Sequence, residues 1–87
     1  MTARYRVEVS KPAGKQIAAL DRTVQNRIIA RLTALGDNPR PAGSKKLAGP
    51  DAFWRIRVGD YRVIYSIVDA QLVVLVIKIG HRREVYR

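Results

Sequence analysis

The stretch from Phe53 to Tyr86, FWRIRVGDYRVIYSIVDAQLVVLVIKIGHRREVY, limits the choice of fold more than any other part of this 87-residue chain. Two short breaks, Gly59-Asp60 and Asp69-Ala70, divide it into three runs rich in β-branched and aromatic residues. Runs of that kind joined by two-residue turns predict a three-stranded antiparallel meander. With Gly59 and Asp60 as the loop, Val58 faces Tyr61, Arg57 faces Arg62, Ile56 faces Val63 and Arg55 faces Ile64. Side chains two apart share a face, so Arg55, Arg57 and Arg62 gather on one side of the sheet. Trp54, Ile56, Val58, Val63, Tyr65, Val74 and Val76 gather on the other. A second two-residue loop at Asp69-Ala70 sets Arg62 opposite Ile77 and brings Ile79 and His81 onto the arginine face.

Like charges directly opposite one another destabilise a sheet by up to about 1 kcal/mol, so the arginine pairing brings no folding benefit of its own. A bound anion would supply one. Guanidinium grips planar oxyanions through two parallel hydrogen bonds, and phosphate is the commonest such group. The arginine face therefore reads as a phosphate site.

Eighty-seven residues predict one domain over 1–87, near the lower size limit for a chain that folds without metals or disulfides. An apolar fraction of 47% argues for a folded chain. There is no cysteine, hence no disulfide framework and no thiolate zinc site. The opening MTARYRVEVS lacks the apolar core of a secretory signal, and no apolar run approaches the roughly 18 residues of a membrane span. The expectation is a soluble cytoplasmic protein with no cofactor, no metal and no membrane partner. Seventeen Lys and Arg against seven Asp and Glu leave a formal charge of +10. Such an excess favours polyanions, whose counterions it releases, but the charge alone does not choose among RNA, DNA, an acidic protein and an anionic surface.

Taken in order, Arg4 to Val9 alternates, with Tyr5, Val7 and Val9 on one face, and predicts a half-buried strand. Ser10 is placed to cap a helix with Pro12 in its first turn, and Asp21 to cap a second helix. In that second helix Val24, Ile28, Ile29, Leu32 and Leu35 form the apolar stripe, and Gly36 is a natural terminator. Arg22, Arg27 and Arg31 fall largely outside the stripe, as a solvated face or as a surface for ribosomal RNA or an acidic partner. Asp37 to Asp51, DNPRPAGSKKLAGPD, reads as a loop that carries Lys45 and Lys46 to the sheet edge, where they could add phosphate contacts. The order is β-α-α-β-β-β: an α+β fold in which an N-terminal α-hairpin packs on one face of an antiparallel sheet.

This element order, the stretch WRIRVGDYRVIYSI, the following VVLVIKIGHRREVY and the high basic charge together resemble the RelE/ParE toxin superfamily, specifically its RelE-like mRNA interferases. The resemblance covers nearly the whole chain. It implies a toxin held inactive by a co-expressed RelB-like antitoxin in a complex that binds operator DNA. Once freed, the toxin enters the ribosomal A site, contacts 16S ribosomal RNA and cuts the mRNA codon there. Arg55 and Arg57 match positions where such toxins carry basic residues, often lysine. Arg62 matches the arginine of the Tyr-Arg strand motif, Arg82 the arginine after the Gly-His/Lys step, and Tyr86 the C-terminal tyrosine.

Cleavage through the ribose 2′-OH requires a base, stabilisation of a dianionic phosphorane and an acid for the 5′-oxygen. The resemblance gives the base role to Tyr86 and the acid role to Arg82, with Arg57 and Arg62 on the phosphate and no metal. A phenol titrates near 10, and bringing it to about 7 takes roughly 4 kcal/mol of preference for the phenolate, which neighbouring guanidinium groups favour. Guanidinium is a poor proton donor, whereas histidine titrates near neutrality, so His81 is a candidate to share or replace the role of Arg82. Arg83 and Arg87 read as backbone or ribosomal RNA contacts. Two other readings stay open: a ParE-like inhibitor of DNA gyrase on the same fold, and a non-catalytic RNA-binding module.

Overall fold

The structure is a computed structural model that describes residues 4–50 and 52–81. Its spine is the predicted hairpin: β3 (Phe53–Val58) and β4 (Tyr61–Val68) pair antiparallel through Gly59-Asp60. Gly59 has φ 61°, the left-handed value that primed hairpin turns require at their first loop position. The register is the counted one, with Val58 on Tyr61, Arg57 on Arg62, Ile56 on Val63 and Arg55 on Ile64.

The next connection departs from expectation. A single 3-10 turn over Asp69–Gln71, closed by Leu72 in the left-handed region at φ 54°, occupies four residues rather than two. β5 (Val73–His81) then pairs with β4 from Val68 on Val73, and a β-bulge between Ile64 and Tyr65 adds one more residue to its side. Ile64 pairs with Lys78 and Tyr65 with Val76, so Ile77 is the inserted residue. Arg62 therefore lies opposite Gly80, not Ile77. Because side-chain direction has a period of two, the bulge reverses the faces of everything beyond it. Ile79 and His81, opposite Val63 and Tyr61, turn to the helix face, and Lys78 turns to the arginine face.

Two short strands complete a five-stranded sheet of order β1-β5-β4-β3-β2. β1 (Arg6–Val9) pairs parallel with β5, from Arg6 on Val73 to Val9 on Val76, the one parallel pairing in an otherwise antiparallel sheet. β2 (Lys45–Lys46) pairs with Trp54 and Arg55, so the loop does deliver these lysines to the sheet edge.

The helices form where their caps allow. α1 (Lys11–Ala18) begins at Ser10, whose Oγ accepts from the Ala13 N–H at 3.2 Å, and has Pro12 in its first turn. α2 (Arg22–Asp37) begins at Asp21, whose Oδ1 accepts from the Val24 N–H at 3.0 Å. Ser10 also donates its hydroxyl to the C=O of Ile77 at 2.9 Å, so one side chain caps α1 and satisfies the bulged residue of β5. Gly36 does not end α2. It is buried inside the last turn, where an added Cβ would sit 2.9 Å from the Tyr5 carbonyl oxygen, and its own C=O accepts from the Tyr5 N–H at 2.8 Å. The helix stops instead at Asn38, ahead of Pro39.

The core lies between the two helices and one sheet face. Ala13, Ile28, Leu32 and Leu35 meet Ile56, Val58, Val63, Tyr65, Val74, Val76 and Ile79, all buried. Ile29, counted in the apolar stripe of α2, is 47% exposed and lies outside this core. Tyr65 is fully buried, and its hydroxyl donates to the Pro39 C=O at 2.7 Å; burial pushes that hydroxyl's pKa upward. Among the described residues no helix is long and apolar enough to cross a membrane.

Candidate phosphate-binding face

The sheet face turned away from the helices carries the charge. Cross-strand partners share a face, so Lys45, Arg55, Ile64 and Lys78 form one row across β2, β3, β4 and β5. Two residues along the strands, Arg57, Arg62 and Gly80 form a second row. Strand spacing makes the first row about 14 Å long and places the second about 7 Å from it. Five cationic side chains thus occupy two adjacent rows of the same face. Gly80 leaves the position beside Arg62 without a side chain.

These cations differ in setting. Arg55 and Arg62 are 7% and 6% exposed, and the Nε of Arg55 is buried without a hydrogen-bond partner. Lys45, Arg57 and Lys78 are exposed around them. A charged group held in low dielectric interacts more strongly with a counter-charge than one in water. The Arg6–Glu8 ion pair lies on this side of the sheet at its β1 edge, where Glu8 is the partner of Leu75 and its carboxylate is held by Arg6, whereas Arg4–Asp37 and Arg40–Asp69 join residues outside the strands. What the arrangement can do chemically is hold phosphate oxygens between planar donors.

The expected site is thus assembled in part. Arg55, Arg57 and Arg62 come together as counted, and Lys45 joins the row of Arg55. Lys46 pairs with Trp54 and so lies on the opposite face. His81 is also on that opposite face, its ring edge-on to Tyr61 with centroids 5.7 Å apart. There it lines a groove of about 410 Å³ with Gln16, Ala19, Leu20, Tyr61 and Ile79. The expectation that His81 stands beside the arginines is corrected by the bulge. Arg82, Arg83, Tyr86 and Arg87 lie outside the described residues.

Lys78 was not among the expected site residues, although one signal pointed to it. It is the only charged residue in the run VVLVIKIG, and the two-residue loop would have buried it under the helices. A lysine there conflicts with an apolar core, and the conflict marks a register shift.

Trp54 and Tyr65 point to the helix side, and the Arg40 guanidinium lies 5.4 Å from the Trp54 ring centroid. The aromatic platform on an open sheet that single-strand binders use is not built here from these two rings.

Comparison with known proteins gives a consistent picture. The family model described as ParE toxin of type II toxin-antitoxin system, parDE, matches residues 7–86. The mRNA interferase toxin RelE of Escherichia coli K12 is 31% identical over 85 residues, covering 94% of this chain and 90% of that protein. Among solved structures, the archaeal RelE-RelB complex from Pyrococcus horikoshii OT3 superimposes with a TM-score of 0.82 at 31% identity, covering 97% of this chain and 99% of that one. The intact E. coli RelBE toxin-antitoxin complex does so with a TM-score of 0.76 at 29% identity, covering 88% and 95%. With a family match across nearly the whole sequence, and relatives at 31% identity matched over almost their full length, the chain belongs to the RelE/ParE toxin superfamily as a RelE-like member.

Proposed function

We propose that this protein is the toxin of a type II toxin-antitoxin system and that it cleaves mRNA in the ribosomal A site, in the cytoplasm, through the 2′-OH and without a metal. The observation that carries this reading is the pair of buried arginines, Arg55 and Arg62, set beside exposed Arg57 on one sheet face. Guanidinium groups in this setting do what a metal does elsewhere: they neutralise the charge that develops on the phosphorane. Tyr86 serves as the base. With His81 against Tyr61 on the helix face, the acid role falls to Arg82. Arg83, Arg87 and Lys46 contact ribosomal RNA or the RNA backbone.

The partner that restrains the toxin is a RelB-like antitoxin, a reading supported by the RelE-RelB and RelBE complexes that the fold resembles. An acidic or amphipathic segment suits a surface of this charge, and the toxin-antitoxin complex binds operator DNA.

The test is a translation reaction programmed with a defined mRNA, with 5′ ends mapped by primer extension and naked mRNA run in parallel. Cleavage is expected at A-site codons of the ribosome-bound message only, and Arg62→Ala should reduce it at least about 100-fold, the scale of losing one transition-state donor. The family description names ParE, so DNA gyrase is assayed beside it. Intact mRNA with falling supercoiling activity overturns the interferase reading in favour of a gyrase poison.

A further inference from the structure

We infer that Lys78 is an RNA-binding residue of this face, holding a backbone phosphate next to the one gripped by the arginines. The inference rests on the interferase reading and extends it from a single phosphate to a track. The bulge between Ile64 and Tyr65 is what turns Lys78 to the arginine side, and Ser10 holds the bulged Ile77 carbonyl. Lys78 is exposed on β5, and Lys45 is exposed at the other end of the same row on β2. Between them stand Arg55 and Ile64, and Arg62 lies two residues further along β4.

A row about 14 Å long is too wide for one phosphate, whose oxygens span only the reach of a single bidentate grip. The burial pattern divides the labour. Arg55 and Arg62, at 7% and 6% exposure, sit deep and suit the phosphate under attack. The lysines at the rim are flexible point charges, suited to flanking phosphates whose geometry need not be controlled. A single strand would then cross the β-strands from β2 to β5. Lys78 binds without entering the chemistry, because its place is at the end of the row and the attacked phosphate is at the centre.

Two measurements test this. The first is binding of an uncleaved single-stranded oligonucleotide, a short oligouridylate, as a function of salt. Each phosphate contact contributes about 0.7 to the slope of log K against log salt for single strands. Lys78→Ala should lower the slope by about that amount. Lys78→Arg should restore it, and Lys11→Ala, which removes one charge from the exposed start of α1, should not change it. The second is single-turnover cleavage on programmed ribosomes. Lys78→Ala should raise the half-saturating toxin concentration by roughly three- to tenfold, with the maximal rate and the pH profile unchanged.

A slope for Lys78→Ala equal to that of Lys11→Ala overturns the inference, as does a collapse of the maximal rate with unchanged half-saturation. The parent reading fails separately. If wild-type protein leaves ribosome-bound mRNA intact while Lys78→Ala still lowers the slope, the phosphate contact stands and the nuclease does not. If wild type cleaves, Arg62→Ala does not and Lys78→Ala matches wild type in both assays, only the role of Lys78 falls.

Discussion

Replacing Ser10 removes one hydroxyl from two elements at once. Its Oγ accepts from Ala13 N–H at the start of α1 and donates to the Ile77 carbonyl in the bulge of β5. Losing a helix cap costs about 1 kcal/mol, and leaving a part-buried carbonyl without its partner costs about as much again. Ser10→Ala should therefore destabilise the fold by roughly 2 kcal/mol in denaturant unfolding. Glycine is nearly as good a cap as serine, so Ser10→Gly should recover part of the loss. What it does not recover measures the bulge. The same residue shows how far a single position can be read in advance. Its capping role follows from a serine placed two residues before a proline, whereas its second partner lies 67 residues away and exists only because of the register of β5.

At the scale of elements, α2 and the segment leading into β1 meet backbone to backbone at Gly36. Alanine normally stabilises a helix interior over glycine by about 1 kcal/mol. At Gly36 the sign should reverse, because the new Cβ meets the Tyr5 carbonyl oxygen at 2.9 Å and backbone cannot move aside cheaply. Gly36→Ala should lower stability by about 1–3 kcal/mol, the usual cost of overpacking, read as a fall in the denaturation midpoint. The β3–β4 hairpin was legible because Trp54, Ile56 and Val58 alternate with Arg55 and Arg57, and a glycine marks the turn. β5 was not. VVLVIKIG is apolar at every position but Lys78 and the glycine, so alternation does not reveal where its faces switch, and a left-handed leucine closing a 3-10 turn has no composition signal. Three arginines of the candidate site were therefore readable from counting, while Lys78 and the true side of His81 depended on a bulge invisible to it.

At the scale of the whole molecule, one cluster ties together parts of the chain far apart in sequence. Asp69, in the turn between β4 and β5, accepts from both terminal nitrogens of the Arg40 guanidinium, at 3.3 and 2.9 Å, and from the Tyr5 hydroxyl just before β1. Arg40, and then Tyr5, hold the Asp69 carboxyl below its ordinary value. A depressed folded value means that this contribution is complete above the unfolded value, near 4, and is lost as the pH falls through the folded one. Asp69→Asn should lower the melting temperature at neutral pH, and the gap to wild type should close as melts are repeated below about pH 4. A gap that stays constant into acid would show that the carboxylate charge is not what matters. The parallel pairing of β1 with β5 has a different kind of consequence, one of timing. During synthesis β1 emerges ahead of the other described elements, yet the strand it lies against is made only after both helices and three further strands. The sheet cannot close until the message encoding β5 has been read, so β1 waits without its partner strand while everything between the two is made.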